Sequence, residues 1–326
     1  MGTGRSGTTL MRTMVSAHPQ LTIAPETLFL NRWRHRYRLL NLELDRHFET
    51  FWQDFVKDAR FPRLGISPDS VLQQLEKKPR RTFKAVFESL LECYAEKMGK
   101  PRWGEKTPGH FAYLDTLLTW YPQAKVLYLI RDPRAVVASV KNTPWSEKNA
   151  DIITHRWRRA ANILARWEHD SRVHGVKYES LVTHPNRELE AICAHLDVTF
   201  DASMLSPSEE SSPIISQTGW RVAHLKKALQ PVTSESVERW RSELDRDDIA
   251  AIETLARSEM ERFGYVSSSP LLSSRKLLSR GIGRRLSRLC TRIRRAPRKL
   301  PRKCQKLLEW LSLLAIPRIR QFLARK

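Results

Sequence analysis

Cysteine is scarce in this 326-residue chain: Cys93, Cys193, Cys290 and Cys304 are the whole set, with no CxxC pair and no Cys/His spacing of the zinc-site kind. That excludes a disulfide scaffold and a structural metal knuckle as sources of stability. Long apolar runs are missing as well. The longest near either end, residues 311–317, falls far short of the roughly 20 residues that a membrane span requires. No apolar stretch follows a basic start after Met1, so nothing reads as a secretory signal and the cytoplasm is the expected compartment. Acidic residues are few, 35 against 57 Lys and Arg, for a formal charge of +22. Yet 41% of the chain is apolar and 9% aromatic, enough to bury a sizeable core, which excludes a wholly disordered polyelectrolyte.

The excess charge is not spread evenly. From Leu271 to Lys326 there are 18 Lys and Arg and one acid, Glu309, so this tail carries +17 and the remaining 270 residues only +5. The expected organisation is a catalytic-sized domain over 1–265, a Ser/Pro linker over 266–274 and a basic amphipathic helical tail over 275–326. Leu and Ile alternate with Arg and Lys in the tail at helical spacing, which suits an anionic membrane surface, here the inner face, more than nucleic acid. A disordered solubilising tail is the plain alternative.

Within the domain, 126–130 (VLYLI) is an apolar run of the kind a buried parallel strand shows, and 175–178 is a second, short strand candidate. Helical spacing predicts helices over 9–17, 80–98, 108–121, 135–141, 152–170, 186–196, 234–244 and 248–263, with 29–76 also helical. Residues 21–26 read as extended. Strands alternating with longer helices predict an α/β fold, a three-layer, P-loop-like parallel sheet flanked by helices. In 155–170, Trp157, Ala161, Leu164 and Trp167 share one helical face, so its aromatics predict a core face rather than a nucleic-acid platform.

Residues 2–9, GTGRSGTT, have the G-x-x-x-x-G frame of a phosphate loop, in which glycines turn backbone N–H groups inward at a helix N-terminus. The lysine of a Walker motif is absent, because Thr8 stands in its place. Arg5 is the cation of the loop, and Ser6, Thr8 and Thr9 offer hydroxyls. Such a site suits a terminal dianion without an obligatory metal better than it suits a triphosphate. Such a loop normally follows a buried strand, so a first strand upstream of Met1 is expected. A second motif, RDPRAVVAS, sends Arg131 out of the 126–130 strand and puts Ser139 on the next helix, where they could hold a separate phosphate. A strand-to-helix turn with a buried salt bridge is the alternative.

With both motifs in hand, the sequence resembles the PAPS-dependent sulfotransferases, particularly the bacterial branch similar to the tyrosylprotein sulfotransferases. The resemblance is carried by GTGRSGTTLMRTMVSAHPQLTIAPET, WGEKTP, VLYLIRDPRAVVASV, KYESLV and SVERW…FGY. It implies an enzyme that moves a sulfuryl group from PAPS (3′-phosphoadenosine 5′-phosphosulfate), without a metal, to an acceptor hydroxyl in preference to an amine. It places Arg5, Ser6, Gly7, Thr8 and Thr9 at the 5′-phosphosulfate, and Arg131, Ser139 and Tyr178 at the 3′-phosphate. It makes Glu26 the general base, with Lys106 and Arg5 neutralising charge on the leaving group. If Glu26 is not the base, His18 and His110 are the nearby candidates. The structural alternatives are a Glu26 paired with Arg32 or Arg34, and a solvated Lys106 paired with Glu105. A cofactor lid is implied before the last helices. There the family lysine ahead of Pro-Val becomes Gln230, with Lys226 and Lys227 close by. The competing classes are a P-loop kinase or NTPase, and a non-catalytic membrane- or nucleic-acid-binding protein on a degenerate scaffold.

Overall fold

The computed structural model describes residues 1–143, 147–207, 235–273, 276 and 280. These lie almost wholly in the first of two compact units, Met1–Leu271. The basic tail beyond residue 280 and the implied cofactor lid, with Lys226, Lys227 and Gln230, lie outside the described residues.

Four short strands form two parallel pairs. β1 (Leu21–Ala24) runs beside β2 (Arg102–Glu105), in register from Leu21 opposite Arg102 to Ala24 opposite Glu105. β3 (Val126–Ile130) runs beside β4 (Val173–Lys177), from Val126 opposite Val173 to Ile130 opposite Lys177. Parallel strands must be joined by crossovers, and helices supply them. The α/β class with parallel strands is as expected, but among the described residues the sheet comes in two pieces. Met1 and Gly2 add one parallel bridge to Leu129, too short a segment to join the pieces into one ladder. A cavity of about 460 Å³ opens there, lined by Thr22, Gly104, Lys106 and Leu127 among others.

The expected helices form where local chemistry starts them. Asp132 accepts the Arg134 N–H and Pro133 occupies the first turn of Pro133–Lys141, since proline costs nothing where the N–H would be unpaired. Asn149 caps Ala150–Trp167 and Thr82 caps Phe83–Lys97 in the same way. Trp157, Ala161 and Leu164 are buried, and Trp167 packs against the same core, so that helix uses its aromatics structurally. The Trp157 indole N–H donates to the Arg131 carbonyl at 2.8 Å, tying the core to the end of β3. A second core gathers Phe29, Phe51, Phe55 and Phe87 with edge and tilted ring contacts, carried by Asp45–Val56 and Phe83–Lys97.

Three local departures have physical causes. β4 ends at Lys177, so Tyr178 begins the helix Tyr178–Thr183 instead of closing the strand. β2, RWGE, has one large apolar side chain in its four positions and gives no apolar run. The span after Glu26 starts as a π-helix, Phe29–Arg34, a rare winding that helical spacing does not single out. No helix among the described residues is long and apolar enough to cross a membrane.

Candidate active site

The register of the two pairs places four side chains at the carboxyl ends of four parallel strands. Glu26 follows β1 and Lys106 follows β2; Arg131 follows β3 and Tyr178 follows β4. This edge is where open α/β sheets bind ligands.

The loop of residues 2–7 is built on unusual backbone. Arg5 takes φ 74° and Gly7 φ 89°, and a Cβ at Gly7 would lie 2.3 Å from the Tyr178 ring. Only glycine fits there, both for φ and for space. Gly7 offers no side-chain cap to the helix Thr8–Ala17, so the first N–H groups of that helix, at Thr8 and Thr9, have no side-chain acceptor at its cap. Ser6 and Thr8 are buried, with the Ser6 hydroxyl bonded to that of Thr3.

The two phosphate motifs meet. Arg5 Nε donates to Ser139 Oγ at 3.0 Å. Arg131 Nη1 donates to the Arg5 carbonyl at 3.0 Å and Nη2 to the Ser236 carbonyl at 2.8 Å. Arg131 is buried, its guanidinium stands 4.2 Å from the Tyr178 ring centre, and its Nε has no hydrogen-bond partner among the described residues. A buried donor without an acceptor is costly, and an anion placed there would satisfy it. Burial, then the Arg131 charge, holds the Arg5 pKa below its ordinary value. Two neighbouring guanidinium groups repel, and an anion between them would relieve both.

Ser236 was not singled out from the sequence. Its hydroxyl lies 2.7 Å from Tyr178 Oη, which brings the SVERW segment to the strand ends. Closing FGY also reaches this edge: Tyr265 Oη donates to Glu179 Oε2 while Asp132 N donates to Glu179 Oε1, both at 2.9 Å. Burial raises the Glu179 carboxyl pKa.

At the β1–β2 end, Lys106 Nζ donates to Glu26 Oε1 at 2.5 Å. Lys106 is buried, whereas the Glu26 side chain is 42% exposed. The pair is therefore open on its carboxylate side. Burial lowers the Lys106 pKa against the opposing pull of Glu26, and Arg12 adds to the lowering. Arg12, buried on Thr8–Ala17 and also absent from the sequence-based set, links the phosphate-loop helix to this pair.

The strand-to-helix turn does carry a buried salt bridge, Arg134 with Asp132 and Glu253, beside Arg131 rather than in its place; the structural alternatives for Glu26 and Lys106 do not hold. Arg32 pairs with Asp58 and Arg34 stacks over Trp120, so Glu26 is left to Lys106. Lys106 is not solvated, and Glu105 bonds elsewhere. His18 has both ring nitrogens engaged, with the Thr199 carbonyl and the Gln20 N–H. His110 is fully buried, its Nε2 accepting the Leu30 N–H and its Nδ1 2.8 Å from Glu105 Oε2, off the line of a good hydrogen bond. Neither histidine is placed to take a proton from solvent. No cluster of three or more metal-ligating side chains occurs among the described residues.

Similar proteins agree with this architecture. A protein-tyrosine sulfotransferase of Drosophila melanogaster is 26% identical over 270 residues, covering 78% of this chain and 49% of its own length. Nodulation protein NoeE of Sinorhizobium fredii is 26% identical over 308 residues, covering 86% of this chain and 68% of its own. The chain thus spans about half to two-thirds of the length of the curated relatives it matches. Among solved structures, the sulfotransferase domain of a Synechococcus olefin synthase superposes with a TM-score of 0.57 at 22% identity, covering 82% of this chain and 94% of that domain. That likeness is one of fold. Residues 1–202 match the model described as Sulfotransferase family, and the chain belongs to that family.

Proposed function

We propose that the protein is a PAPS-dependent sulfotransferase that moves a sulfuryl group to an acceptor hydroxyl, in preference to an amine. The observation that carries this reading is the union of the two phosphate motifs: Arg5 on Ser139, Arg131 on the Arg5 carbonyl, and a buried Arg131 Nε without an acceptor among the described residues. A nucleotide with phosphate at two ends suits that constellation. PAPS supplies the sulfuryl group and leaves as PAP (adenosine 3′,5′-bisphosphate).

Arg5, Ser6, Gly7, Thr8 and Thr9 would hold the 5′ end through backbone N–H groups, hydroxyls and one guanidinium. Arg131, Ser139, Tyr178 and, by its place, Ser236 would hold the 3′-phosphate. Glu26 takes the acceptor's proton as its oxygen attacks sulfur in line. Lys106 and Arg5 neutralise the charge that grows on the departing phosphate oxygen. The Lys106 partnership orients the Glu26 carboxylate and leaves one oxygen free to accept. Two features support this set over an ATP site: Thr8 in the Walker lysine position and a cation supplied from β2.

The choice between nucleotides is a direct test. PAP is expected to bind with EDTA present, and ATP with Mg²⁺ to remain unhydrolysed; Mg²⁺-dependent ATP hydrolysis without PAP binding would overturn the reading. Gly7→Ala adds a Cβ against the Tyr178 ring and is expected to weaken PAP at least about tenfold in titration. For the basic tail we retain an anionic membrane surface as partner. Liposome sedimentation should pull down the full chain and not a chain ending near Ser268, and equal sedimentation of both would remove the tail from consideration.

A further inference from the structure

The Glu105 side chain is only 7% exposed, and the chemistry above makes no use of it. Its position opposite Ala24 is the last pair of the β1–β2 register. Beyond it, this side chain bonds both of the segments that carry Glu26 and Lys106. Glu105 Oε1 accepts from Thr27 Oγ1 at 3.0 Å, from Thr27 N at 3.4 Å and from Thr107 Oγ1. Oε2 accepts from Thr107 N at 3.0 Å and faces His110. The residues flanking Glu26 and Lys106 are thereby fastened to one group.

The same cluster sets the next segment. Leu28 N donates to Thr107 Oγ1, Phe29 N to Thr27 Oγ1 and Leu30 N to His110 Nε2. Those bonds hold Leu28 at φ 52°, rare for a leucine, and start the π-helix Phe29–Arg34. Every group pointing at the Glu105 oxygens is a donor, so an amide in its place would set N–H against N–H. Burial pushes the Glu105 carboxyl up, but His110, Thr107 and Thr27 hold it at about 2. It stays ionised throughout the working range and is not itself a proton carrier.

We propose that Glu105 is a positioning residue, whose buried carboxylate fixes the separation and orientation of Glu26 and Lys106 for transfer. This rests on the sulfotransferase reading of that pair. A misplacement of about 1 Å at a reacting centre costs roughly a hundredfold in rate, so the fastening acts on turnover rather than on nucleotide binding.

The test is Glu105→Gln in the full chain, with radiolabelled PAPS turnover, PAP titration and thermal unfolding measured together. Turnover (kcat) is expected to fall about 10- to 100-fold, with the PAP dissociation constant unchanged within about twofold. The Glu105 charge raises the Lys106 pKa, so its removal moves the alkaline limb of kcat to lower pH. Thr27→Val removes a donor to Glu105 and the acceptor of the Phe29 N–H and keeps the shape; a fall in kcat of about 3- to 10-fold with PAP binding intact is expected, and it decides the matter if Glu105→Gln does not fold. Unchanged kcat in either folded variant, or kcat and PAP affinity falling together, overturns the proposal. Full turnover in Glu26→Gln or Lys106→Ala would instead overturn the sulfotransferase reading of the pair.

Discussion

Glu26→Gln is expected to lower sulfuryl transfer by about a thousandfold while leaving PAP binding within about twofold, because a positioned base contributes roughly 10² to 10⁴ in rate. The amide keeps the size of the side chain and can still accept a hydrogen bond from Lys106, but it cannot take the acceptor's proton. Lys106 would lose the carboxylate that opposes its burial, and its pKa would fall further below the ordinary lysine value. The residual activity of the variant should therefore decline at a lower pH on the alkaline side than that of the parent, since the cation is lost as pH rises. Removing one partner of a buried pair is strongly destabilising when both are enclosed. Here the Glu26 side chain is 42% exposed, so water takes over part of its role and a loss of about 1–2 kcal/mol in stability is expected. Rate–pH profiles and thermal unfolding of the two proteins, measured side by side, check all three statements. A variant with near-normal transfer would mean that another group accepts the proton.

The second large effect concerns the nucleotide grip. At a PAP concentration about a hundred times its dissociation constant, the protein should gain about 2.7 kcal/mol of stability. Arg131→Ala and Arg5→Ala should each lose most of that gain. The two differ without ligand. Arg131 bonds to the Arg5 and Ser236 carbonyls, so its loss unfastens the loop and lowers the melting temperature. The Arg5 guanidinium is buried beside Arg131, so Arg5→Ala relieves that repulsion as it gives up the bond to Ser139, and it should lose less apo stability than Arg131→Ala. A site built for an anion gives this contrast: both variants lose the gain from ligand, and Arg5→Ala stays nearer the parent without it. Thermal shift with and without PAP reads it directly, and a loss of apo stability in Arg5→Ala equal to that in Arg131→Ala would show that the cluster is structural.

Much of the phosphate edge was legible because its chemistry is local. GTGRSGTT carries its own turn and helix start, Thr8 in place of a lysine distinguishes it from an ATP loop, and RDPRAVVAS, directly after the apolar run 126–130, writes cap and helix in nine residues. The core face of Ala150–Trp167 followed from the spacing of Trp157, Ala161 and Leu164. The long-range partnerships were not legible. Glu26 and Lys106 are 80 residues apart, and nothing in either segment shows that β1 and β2 lie side by side, since Arg102–Glu105, RWGE, has no apolar run to mark it as a strand. Adjacency instead offers Glu105 as the partner of Lys106. In the fold it turns the other way, into Thr27, Thr107 and His110. Ser236 sits in a motif whose resemblance was noticed, but its contact with Tyr178 depends on the closing helices returning to the strand ends, which local spacing does not encode.

The most direct measurement is transfer of label from radiolabelled PAPS, in EDTA, onto a fractionated extract of the source cell and onto defined hydroxyl acceptors, with PAP release counted in the same reaction. The expected result is one labelled acceptor per PAP released, abolished to about a thousandth in Glu26→Gln. Absence of labelled acceptor in every fraction, or transfer undiminished in that variant, would contradict it.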